Sequence, residues 1–446
     1  MNIVIVGAGY VGLVSGACFS EFGFNVLCID KDKNKIENLN MGKMPIYEPG
    51  LDEIIKKNII SKRLKFFSKL PENFINIDAV FITVGTPAIA DEDKVDLSQV
   101  FEAVKDIVER INLREKPILI VTKSTVPIGT GRKIIGFIKE YRPELDIEKH
   151  FDVASNPEFL REGSAIEDFM RPDRVICGVE TNFAMSMLKE LYRPLNLRET
   201  PLLFSNLETA ELIKYASNSF LATKITFINE MADICEKVGA DVQLLAKGIG
   251  LDKRIGPKFL HPGPGYGGSC FPKDTKALVD IAKKLKTRTK IVESVVLANE
   301  ERKLKMVKKI ERSLGGLNKK NIAVLGITFK PNTDDLRDSP SLIIVPELKK
   351  LCKNLKIYDP AGMENAKQMK QFKDVIWCSN TFDCIDGADA MVIITEWNEF
   401  RALDLNKVKS LLNNPLVIDL RNIYREDLMQ EYGIEYLSVG RGKLNL

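Results

Sequence analysis

One cysteine of the 446-residue chain lies where a thiol can be chemically reactive. Cys270 follows a glycine-rich segment and precedes a predicted helix, in the sequence GYGGSCFPKD (265–274), and Pro272 suits the first turn of that helix. A helix N-terminus and the adjacent Lys273 both favour negative charge, so we expect the pKa of this thiol to be lowered and the thiolate to act as a nucleophile. A lone cysteine is more often a small core residue, but these neighbours favour catalysis.

A glycine motif near the N-terminus favours dinucleotide binding. In GAGYVG (7–12), Gly7 permits a tight turn after a strand, Gly9 lets the backbone approach a pyrophosphate, and Gly12 allows a helix to pack closely. The N-terminus of that helix presents N–H donors and the positive end of its dipole to the phosphates. A turn of this kind without a ligand is the alternative, and the strand before it and the helix after it weigh against that alternative.

A carboxylate at the end of the second predicted strand indicates which dinucleotide binds. Asp30 ends the run VLCID, 18 residues after Gly12, where it can accept hydrogen bonds from both ribose hydroxyls. Because a carboxylate repels a 2′-phosphate, the residue predicts NAD as cofactor in preference to NADP. Lys31 and Lys35 are nearby cations that weigh against this preference.

A thiol combined with NAD suggests a particular reaction. Removal of a hydride from a primary alcohol gives an aldehyde, which cannot give a second hydride until a nucleophile adds to it. Addition of a thiolate makes a thiohemiacetal, its oxidation makes a thioester, and water releases a carboxylate. The sequence therefore predicts a four-electron oxidation that consumes two NAD per turnover. His150 and His261, the two histidines, are poor candidates for the proton acceptor, because one lies in a predicted loop and the other precedes a proline.

Composition excludes several other classes of protein. The chain has 45% hydrophobic and 28% charged residues, which is typical of a globular protein, and its net charge of +4 is too small for nucleic-acid binding. With two histidines and no C-x-x-C pair among eight cysteines, we expect no metal site and no disulfide framework. No apolar run reaches the roughly 18 residues that span a membrane, and the N-terminus enters a strand directly, so we expect a soluble, cytoplasmic protein without a membrane partner.

The elements that must position these residues follow an α/β pattern. Buried strands are predicted where short β-branched runs alternate with helical stretches at 36–40 and 100–110; the strands are 3–6, 26–29, 79–83, 118–121 and 175–179. A single long helix is predicted over 203–238, and alternation resumes with strands at 321, 355–358, 390–394 and 416–419. The fold class is therefore α/β, with two Rossmann-like, doubly wound domains joined by a long central helix and a helical dimerisation region. We expect an NAD-binding domain at 1–202, a central helical domain with the cysteine loop at 203–300, and a second Rossmann-like domain at 301–446.

A series of motifs across nearly the whole chain carries a resemblance. They are GAGYVG (7–12), EPGL (48–51), TVGTP (83–87), KSTVP (123–127), NPEFLREG (156–163), LIKYASN (212–218), GYGGSCFPKD (265–274) and FKPNTDDLRDSPS (329–341). In this order they resemble the UDP-glucose/GDP-mannose dehydrogenase family. One departure is the loop at 88–94 (AIADEDK), where relatives often carry a glycine, and we expect it to affect the shape of the loop near the cofactor.

The resemblance implies an activity and a set of partners. It implies NAD-dependent oxidation of UDP-glucose to UDP-glucuronate by a homodimer, with the third domain binding the UDP-sugar. The same chemistry on a UDP-N-acetylhexosamine or on GDP-mannose is the alternative. A two-electron hydroxyacid dehydrogenase would explain neither Cys270 nor the second α/β domain, and a non-enzymatic nucleotide sensor would not need the catalytic set.

By this resemblance, six residues are catalytic. Lys214 and Asn218 share one face of the long helix and lie against the reacting carbon, and Asp274 relays protons through a bound water; the full set is Cys270, Lys214, Asn218, Asp274, Glu158 and Thr125. Glu158 activates water together with Thr125. From the residues alone, Asn156 and Pro157 read as the start of a helix, which would stack Glu158 and Glu162 on one face. Ordinary alternatives are a solvated lysine and carboxylates that complement helix dipoles.

The resemblance also implies two binding sets. The expected cofactor-binding residues are Gly7, Gly9, Tyr10, Val11, Gly12, Asp30, Lys35, Thr86, Thr125, Glu162, Lys273 and Arg337. The expected substrate-binding residues are Glu158, Phe159, Leu160, Glu162, Lys214, Asn218, Arg254, Phe259, Leu260, Gly267, Lys330 and Arg421. Arg254 is expected to reach the site of the neighbouring subunit.

Overall fold

The computed structural model describes residues 1–87, 89, 95–111 and 116–442, with the backbone alone at 196–198. All but one residue of the loop at 88–94, where the sequence departs from its relatives, lies outside the described residues. The chain divides into two compact units, Met1–Ser217 and a second unit that begins at Asn218. Among the described residues, no helix is both long enough and apolar enough to cross a lipid bilayer.

The first unit is built on one sheet with helices between its strands. The strands are β1 Asn2–Val6, β2 Asn25–Ile29, β3 Leu64–Phe67, β4 Ala79–Ile82, β5 Ile118–Thr122, β6 Phe151–Ser155, β7 Val175–Gly178 and β8 Leu202–Ser205. The helices are α1 Tyr10–Glu21, α2 Lys33–Asn40, α3 Leu51–Ile60, α4 Ser98–Val108, α5 Thr130–Tyr141, α6 Ala165–Met170 and α7 Asn182–Leu191, followed by a 3₁₀ helix at Arg193–Arg198. The strand order is β3-β2-β1-β4-β5-β6-β7-β8, and the order reverses direction between β1 and β4. Ligands of doubly wound sheets bind at the carboxyl ends of the strands at such a switch point.

Both faces of this sheet are apolar, which explains the buried, β-branched strands. Successive side chains of a strand point to opposite faces, and in β1 Ile3 and Ile5 join one hydrophobic cluster while Val4 joins another. Strands β4, β5 and β6 are buried at every residue. A sheet covered by helices on both faces needs strands that are apolar throughout. The short β-branched runs in the sequence therefore identify these strands correctly.

The end of the first sheet differs from the fully parallel prediction. β7 pairs antiparallel with β6, through Ser155 and Gly178, and β8 runs parallel to β7. In the connection at 156–174 only α6 is helical, and its six residues span about 9 Å, less than the roughly 16 Å that a parallel return past β6 would cover. β8 also occupies the first residues of the helix that the sequence predicts over 203–238.

The long central helix is present as α8, Leu207–Val238. Its 32 residues contain neither glycine nor proline, and it is followed by Gly239 at φ +71°, the left-handed conformation typical of a helix C-terminus. The predicted helix is confirmed, with its start shifted to residue 207.

The second unit contains a second doubly wound sheet. Its helices are the remainder of α8, α9 Val242–Gly250, α10 Phe271–Lys284, α11 Lys290–Ser313, α12 Ser341–Leu351, α13 Met363–Ala366, α14 Thr381–Ile385, α15 Asn398–Arg401, α16 Leu405–Leu411 and α17 Glu426–Glu431, with a 3₁₀ helix at Lys370–Phe372. Its strands are β9 Asn321–Leu325, β10 Asn354–Tyr358, β11 Ile376–Trp377, β12 Ala390–Ile393, β13 Leu416–Asp419 and β14 Glu435–Ser438. They are all parallel, in the order β11-β10-β9-β12-β13-β14. This repeats the order of the first six strands of the first sheet.

The two switch points are built alike. A Cβ on Gly7 would lie 2.9 Å from the backbone of Thr83, and a Cβ on Gly326 would lie 2.6 Å from Thr395. Both glycines have positive φ, so each allows the chain after the first strand to pass close to the fourth. An α/β fold with two Rossmann-like units and a long central helix is thus confirmed. The domain boundaries at 202 and 300 stay a prediction.

The second strand of each sheet also ends in an aspartate, in two different settings. Asp30 follows β2, and its Oδ2 accepts a hydrogen bond from the Ala8 N–H at 3.0 Å. Asp359 follows β10, and its Oδ2 accepts from the Ile327 N–H at 2.7 Å and from the Trp397 indole at 3.2 Å. Its Oδ1 accepts from two further N–H groups, at 361 and 362, and the residue is 1% exposed.

Candidate active site

The glycine turn after β1 has the geometry of a phosphate-binding turn. Gly7 has φ +104°, which only glycine adopts readily, and a Cβ on Gly12 would lie 1.8 Å from the Gly7 carbonyl oxygen. By contrast, a Cβ on Gly9 would meet nothing within 4 Å. Gly9 caps α1, whose first residues are Tyr10 and Val11, so the open space lies in front of a helix N-terminus.

Asp30 is held as a carboxylate at the edge of this turn. Its Oδ2 accepts from Lys35 Nζ at 2.8 Å, and its Oδ1 accepts from the Asp32 N–H at 3.0 Å. Burial alone would raise the pKa of Asp30, but the bonds from Lys35 and from the backbone outweigh it and lower that pKa. Lys31 pairs with Glu102 at 3.4 Å. The two lysines that weigh against NAD in the sequence therefore both face carboxylates.

A cavity of about 680 Å³ opens beside the turn. Its lining includes Gly7, Gly9, Asp30, Lys35 and the segment 83–85 after β4. Its volume is within the range of small-molecule and cofactor sites, and it combines open space at a helix N-terminus with the ionised carboxylate of Asp30. These residues fit NAD.

The catalytic carboxylate and lysine predicted in this unit form a buried ion pair. Lys214 Nζ lies 3.0 Å from Glu158 Oε1, and the two side chains are 3% and 6% exposed. Glu158 Oε2 accepts from the Leu160 N–H at 2.5 Å. Burial alone would raise the pKa of Glu158, but Lys214 and the Leu160 N–H lower it, and Glu158 is therefore a carboxylate at neutral pH.

The segment that carries Glu158 is not the helix that the sequence predicts. Residues 156–160 form no helix, and α6 begins at Ala165. Asn156 cannot cap a helix here because its Nδ2 donates to the Ile176 carbonyl at 2.8 Å and its Oδ1 accepts from Lys123 and Tyr192. The stacking of Glu158 and Glu162 on one helical face is therefore wrong.

Aromatic and hydroxyl groups surround this pair. The ring of Phe159 has the Arg174 guanidinium at 3.8 Å and Lys214 Nζ at 5.2 Å from its centroid. Thr86 Oγ1 donates to the carbonyl of Thr125 at 2.9 Å, so the loops after β4 and β5 are joined. Thr125 and Lys214 also line a cavity of about 10 Å³, which is about the space of one water.

Two buried side chains of the first unit have no role in the sequence interpretation. Glu48 accepts from the Tyr10 hydroxyl, from the Gly163 N–H at 2.6 Å and from the Ala165 N–H at 2.8 Å. It therefore joins the cofactor turn to the segment that carries Glu162. Burial raises the pKa of Tyr10 most, and the neighbouring carboxylates of Glu48 and Glu162 raise it further. The signal was present, since Glu48 opens the EPGL motif, but its partners lie 38 to 117 positions away.

Lys123 is the second such residue, in the KSTVP motif. Its Nζ donates to Asn156 Oδ1 at 3.0 Å and to the Tyr192 hydroxyl at 3.3 Å, and the residue is 4% exposed. Burial lowers the pKa of Lys123 to about 8, although Glu158 acts in the opposite direction. The lysine is thus a buried cation, and the Asn156 and Tyr192 oxygens to which it donates are uncharged.

In the second unit, Cys270 is the N-cap residue of α10, with Pro272 in the first turn. Its Sγ lies 3.5 Å from Ser269 Oγ, and the residue is partly exposed while six of the other cysteines are buried. The predicted setting at a helix N-terminus is therefore present. The lowered pKa of this thiol stays a prediction.

Asn218 and Asp274 meet in this unit. Asn218 Nδ2 donates to Asp274 Oδ2 at 2.6 Å, and Asp274 is fully buried in the first turn of α10, one turn after Cys270. Lys273 Nζ lies 3.6 Å from Asp274 Oδ1. The carboxylate thus serves as more than a dipole complement, because a buried amide is directed at it.

The loop before Cys270 packs on the carboxyl edge of the second sheet. A Cβ on Gly267 would lie 2.5 Å from the Asp338 carbonyl oxygen, and one on Gly268 would lie 2.6 Å from the Phe329 ring. Arg421, after β13, donates to the Ile394 carbonyl at 2.8 Å and to the Phe329 carbonyl at 3.2 Å. Lys330 Nζ lies 5.1 Å from the Phe329 ring centroid. The structure therefore brings Gly267, Lys330 and Arg421 together.

The remaining predicted residues of this unit are less gathered. Arg254 is 89% exposed at its side chain and pairs with Asp252 at 2.6 Å. Arg337 is 63% exposed and pairs with Asp335 at 2.8 Å. Phe259 has φ +66°, with its ring centroid 6.1 Å from that of Phe271, and Leu260 is buried in the apolar core of the unit. For Leu260 the side chain is therefore structural, and a ligand contact would use its backbone.

Three regions of the chain match the domains of one enzyme family. Residues 1–196 match the NAD binding domain of the UDP-glucose/GDP-mannose dehydrogenase family, residues 208–301 its central domain and residues 323–426 its UDP binding domain. The chain belongs to the UDP-glucose/GDP-mannose dehydrogenase family.

Individual relatives of this family are similar over their full length. A UDP-glucose 6-dehydrogenase of Rhizobium meliloti is 51% identical over 444 residues, which cover 99% of this chain and 100% of that protein. The structure of a UDP-glucose dehydrogenase from Pyrobaculum islandicum has a TM-score of 0.89 at 35% identity, with 99% of this chain and 98% of that chain covered. The structure of a UDP-D-ManNAc dehydrogenase from Pyrococcus horikoshii has a TM-score of 0.85 at 26% identity, with 99% and 100% covered.

Family membership confirms the main sequence interpretation. The chain is an NAD-dependent oxidoreductase of the UDP-glucose/GDP-mannose dehydrogenase family, and NAD is the cofactor. The UDP binding domain indicates a nucleotide sugar as substrate. The catalytic and binding roles of individual residues stay predictions.

Proposed function

We propose that the chain oxidises UDP-glucose to UDP-glucuronate through covalent intermediates on Cys270. The observation that carries this proposal is the pairing of a cysteine at the N-terminus of α10 with a buried carboxylate one turn later, Asp274, to which Asn218 donates at 2.6 Å. A two-electron dehydrogenase needs no nucleophile, whereas a four-electron oxidation of a primary alcohol does. The name of the Rhizobium relative, UDP-glucose 6-dehydrogenase, supports the substrate.

The proposed reaction has four steps, and bound NAD accepts one hydride in each of the two oxidations. The C6 hydroxyl first loses a proton and its carbon a hydride, which gives the aldehyde. The Cys270 thiolate then adds to the aldehyde carbon, and the oxyanion is protonated to a thiohemiacetal. Oxidation of the thiohemiacetal gives a thioester, and water breaks the C–S bond, which returns the thiol. In total, one alcohol, two NAD⁺ and one water give one carboxylate, two NADH and three protons.

We propose roles for the charged groups that follow from their surroundings. Lys214 stabilises the developing oxyanion, because an ammonium held by Glu158 at 3.0 Å is oriented before the substrate arrives. Asp274 exchanges protons with a bound water during the first oxidation, and Asn218 fixes its orientation. Glu158, kept ionised by Lys214, acts with Thr125 on the water that hydrolyses the thioester.

Substrate and cofactor contacts complete the proposal. Lys330 and Arg421 bind diphosphate or sugar oxygens, and Arg421 is already oriented by two backbone carbonyls. The alternative substrate is another nucleotide sugar, a UDP-N-acetylhexosamine or GDP-mannose. The likeness to the UDP-D-ManNAc dehydrogenase of Pyrococcus horikoshii favours the first of these as second candidate.

The stoichiometry of NADH to sugar tests the proposal. We expect two NADH for each UDP-glucose consumed by the wild type, and no multiple turnover by Cys270→Ser. One NADH per sugar with release of the free aldehyde would contradict the thioester. Two NADH from UDP-N-acetylmannosamine, with no reaction of UDP-glucose, would retain the mechanism and replace the substrate.

We also propose that the enzyme is a homodimer formed through α8. Phe220, Phe227 and Ile234 recur every seven residues on this helix and are 66%, 45% and 52% exposed. A seven-residue repeat of exposed apolar side chains is the pattern by which a helix packs along an identical helix, and a two-fold axis makes such a face self-complementary. Arg254, exposed and paired only locally here, would then be available to the neighbouring subunit, as the family resemblance implies.

The cysteines support a reducing compartment, and we propose the cytoplasm. All eight are free thiols, and two of them, Cys378 and Cys384, lie close enough for one thiol to influence the pKa of the other. In an oxidising compartment neighbouring thiols of this kind tend to be oxidised.

A further inference from the structure

The loop that leads to Cys270 is held at the backbone of two residues, Gly263 and Tyr266, by side chains of α8 and α11. Asn299 Oδ1 accepts from the Tyr266 N–H at 2.8 Å, and Asn299 Nδ2 donates to the Tyr266 carbonyl at 3.1 Å. Asn229 Oδ1 accepts from the Gly263 N–H at 2.8 Å, and Arg302 Nε donates to the Gly263 carbonyl at 3.1 Å. The N–H and the carbonyl of Gly263 and of Tyr266 are therefore all satisfied by side chains.

These contacts are buried, so water cannot readily replace a hydrogen bond that is lost. Asn299, Asn229 and Arg302 are 3%, 4% and 4% exposed. Arg302 is itself oriented by an ion pair with Asp233 on α8. A buried peptide group that loses its partner pays the full cost of desolvation, and the four hydrogen bonds therefore fix the path of the loop strongly.

The loop needs such support because of its composition. It contains glycines at 263, 265, 267 and 268, and glycine has more backbone freedom to lose on ordering than any other residue. Gly265 has φ +119°, and a Cβ there would lie 2.9 Å from Asn299 Oδ1. The carboxamide of Asn299 thus fits against residue 265 only because a glycine, which has no Cβ, is at that position.

We propose that Asn299 is a positioning residue for Cys270. Its carboxamide pairs with the N–H and the carbonyl of Tyr266 as a neighbouring strand would, and so sets the backbone four residues before the nucleophile. The Gly268 N–H, which donates to the Arg337 carbonyl at 2.8 Å, continues this support towards Cys270. This support fixes Cys270 at the N-cap position of α10, where the helix N-terminus stabilises a thiolate.

The experiment compares three variants with the wild type by the alkylation of Cys270. Asn299→Leu has nearly the same shape but removes both bonds to Tyr266. Ile310→Ala, on the same helix in the apolar core, is the control for loss of stability without a bond to the loop. Asn299→Asp keeps the acceptor, and its protonated form also regains the donor. The rate of iodoacetamide addition to the Cys270 peptide is followed by mass spectrometry from pH 5 to 9, with Cys270→Ser as blank and at a temperature where each variant is folded.

We expect the midpoint of the alkylation profile of Asn299→Leu to rise by about one pH unit, which is about tenfold slower addition below the midpoint. We expect kcat with UDP-glucose to fall about tenfold or more, and the KM for NAD to change less than about twofold. Ile310→Ala should keep the wild-type midpoint. Asn299→Asp, relative to wild type at the same pH, should be closest to wild type at low pH, where its buried carboxyl is protonated, and should lose reactivity as pH rises.

The inference is overturned if Asn299→Leu keeps the wild-type midpoint and loses no more kcat than Ile310→Ala, since the asparagine is then only structural. A defect of Asn299→Asp that does not depend on pH also overturns it. The kcat arm rests on the function proposed above, whereas alkylation needs no substrate. A wild type that does not oxidise UDP-glucose would therefore contradict the proposed substrate and leave the alkylation arm as the test of positioning.

Discussion

At the scale of single residues, the first unit contains two buried lysines in different circumstances. Lys214 faces a carboxylate at 3.0 Å, whereas Lys123 donates to the uncharged oxygens of Asn156 and Tyr192. A buried ammonium whose hydrogen-bond partners are neutral is costly, because Coulomb attraction does not repay its desolvation directly. The fold therefore accommodates Lys123 at a cost in stability, and we expect its charge to act on the site that contains Glu158.

We expect Lys123→Met to be more stable than the wild type at pH 7 by about 2 kcal/mol, and less active. Burial lowers the pKa of Lys123 from 10.5 to about 8. Between about pH 8 and 10.5 the unfolded chain binds this proton and the folded chain does not, so wild-type stability rises with pH over that window. The advantage of the variant should therefore shrink there. Urea unfolding of both proteins at pH 7 and pH 10 measures it.

Lys189→Met provides the control, since that lysine is a surface cation beside the Phe204 ring. Its free energy of unfolding should follow the wild type at both pH values. An advantage of Lys123→Met that stays constant or grows above pH 8 would contradict the lowered pKa.

Residues whose function depends on neighbours in sequence are predictable from the chain. Cys270 and Asp30 can be named as candidates from the sequence: the glycines, the proline and Lys273 lie within a few positions of Cys270, and a predicted strand ends at Asp30. Lys123 and Glu48 belong to motifs that the sequence displays, but their roles depend on partners such as Tyr192 and Ala165. These partners are 69 and 117 positions away, and sequence spacing gives no information about such contacts.

At the scale of elements, Glu48 joins three pieces of the first unit. It accepts from the first residue of α1, Tyr10, and from Gly163 and Ala165, where α6 begins. The cofactor turn and the segment with Glu162 are therefore positioned by one carboxylate. A substitution of Glu48 should therefore affect both the cofactor turn and the segment with Glu162.

We expect Glu48→Ala to lower the free energy of unfolding by about 3 kcal/mol and to raise the KM for NAD, because three donors lose their acceptor. Tyr10→Phe removes one of the three and should cost about 1 kcal/mol. Denaturant unfolding and NAD titration measure the two effects. Equal losses in the two variants would show that the N–H groups of Gly163 and Ala165 gain nothing from Glu48.

The sequence predicts a helix or strand correctly where the periodic pattern is long, and wrongly where a polar side chain makes tertiary hydrogen bonds. The helix over 203–238 is recognisable from 32 residues without a breaker, and its start shifts only because β8 takes the preceding residues. The predicted helix at Asn156 does not form, since its side chain is used by Ile176, Lys123 and Tyr192. The antiparallel direction of β7 is not predictable from the sequence either, because it depends on the path of the connection at 156–174, whose one helix is short.

At the scale of the whole molecule, the exposed repeat on α8 gives a prediction about assembly. We expect Phe227→Glu to convert a species of twice 50.2 kDa into one of 50.2 kDa in sedimentation velocity, because a charge in the middle of a self-complementary face is repeated across the two-fold axis. Ile60→Glu is the control, since Ile60 is 81% exposed on α3 of the first unit. A monomeric wild type, or a Phe227→Glu variant that keeps its mass, would contradict the proposed interface.

Asp30 and Asp359 occupy equivalent positions in the two sheets but differ in their hydrogen-bond partners. Asp30 lines a cavity and its Oδ1 accepts from one N–H group, whereas both oxygens of Asp359 accept from N–H groups of its own unit, and Oδ2 also accepts from the Trp397 indole. A ribose diol offered to the second sheet thus meets a carboxylate with no acceptor to spare. We therefore expect a ribose to be bound through Asp30 at the first sheet, and through groups other than Asp359 at the second.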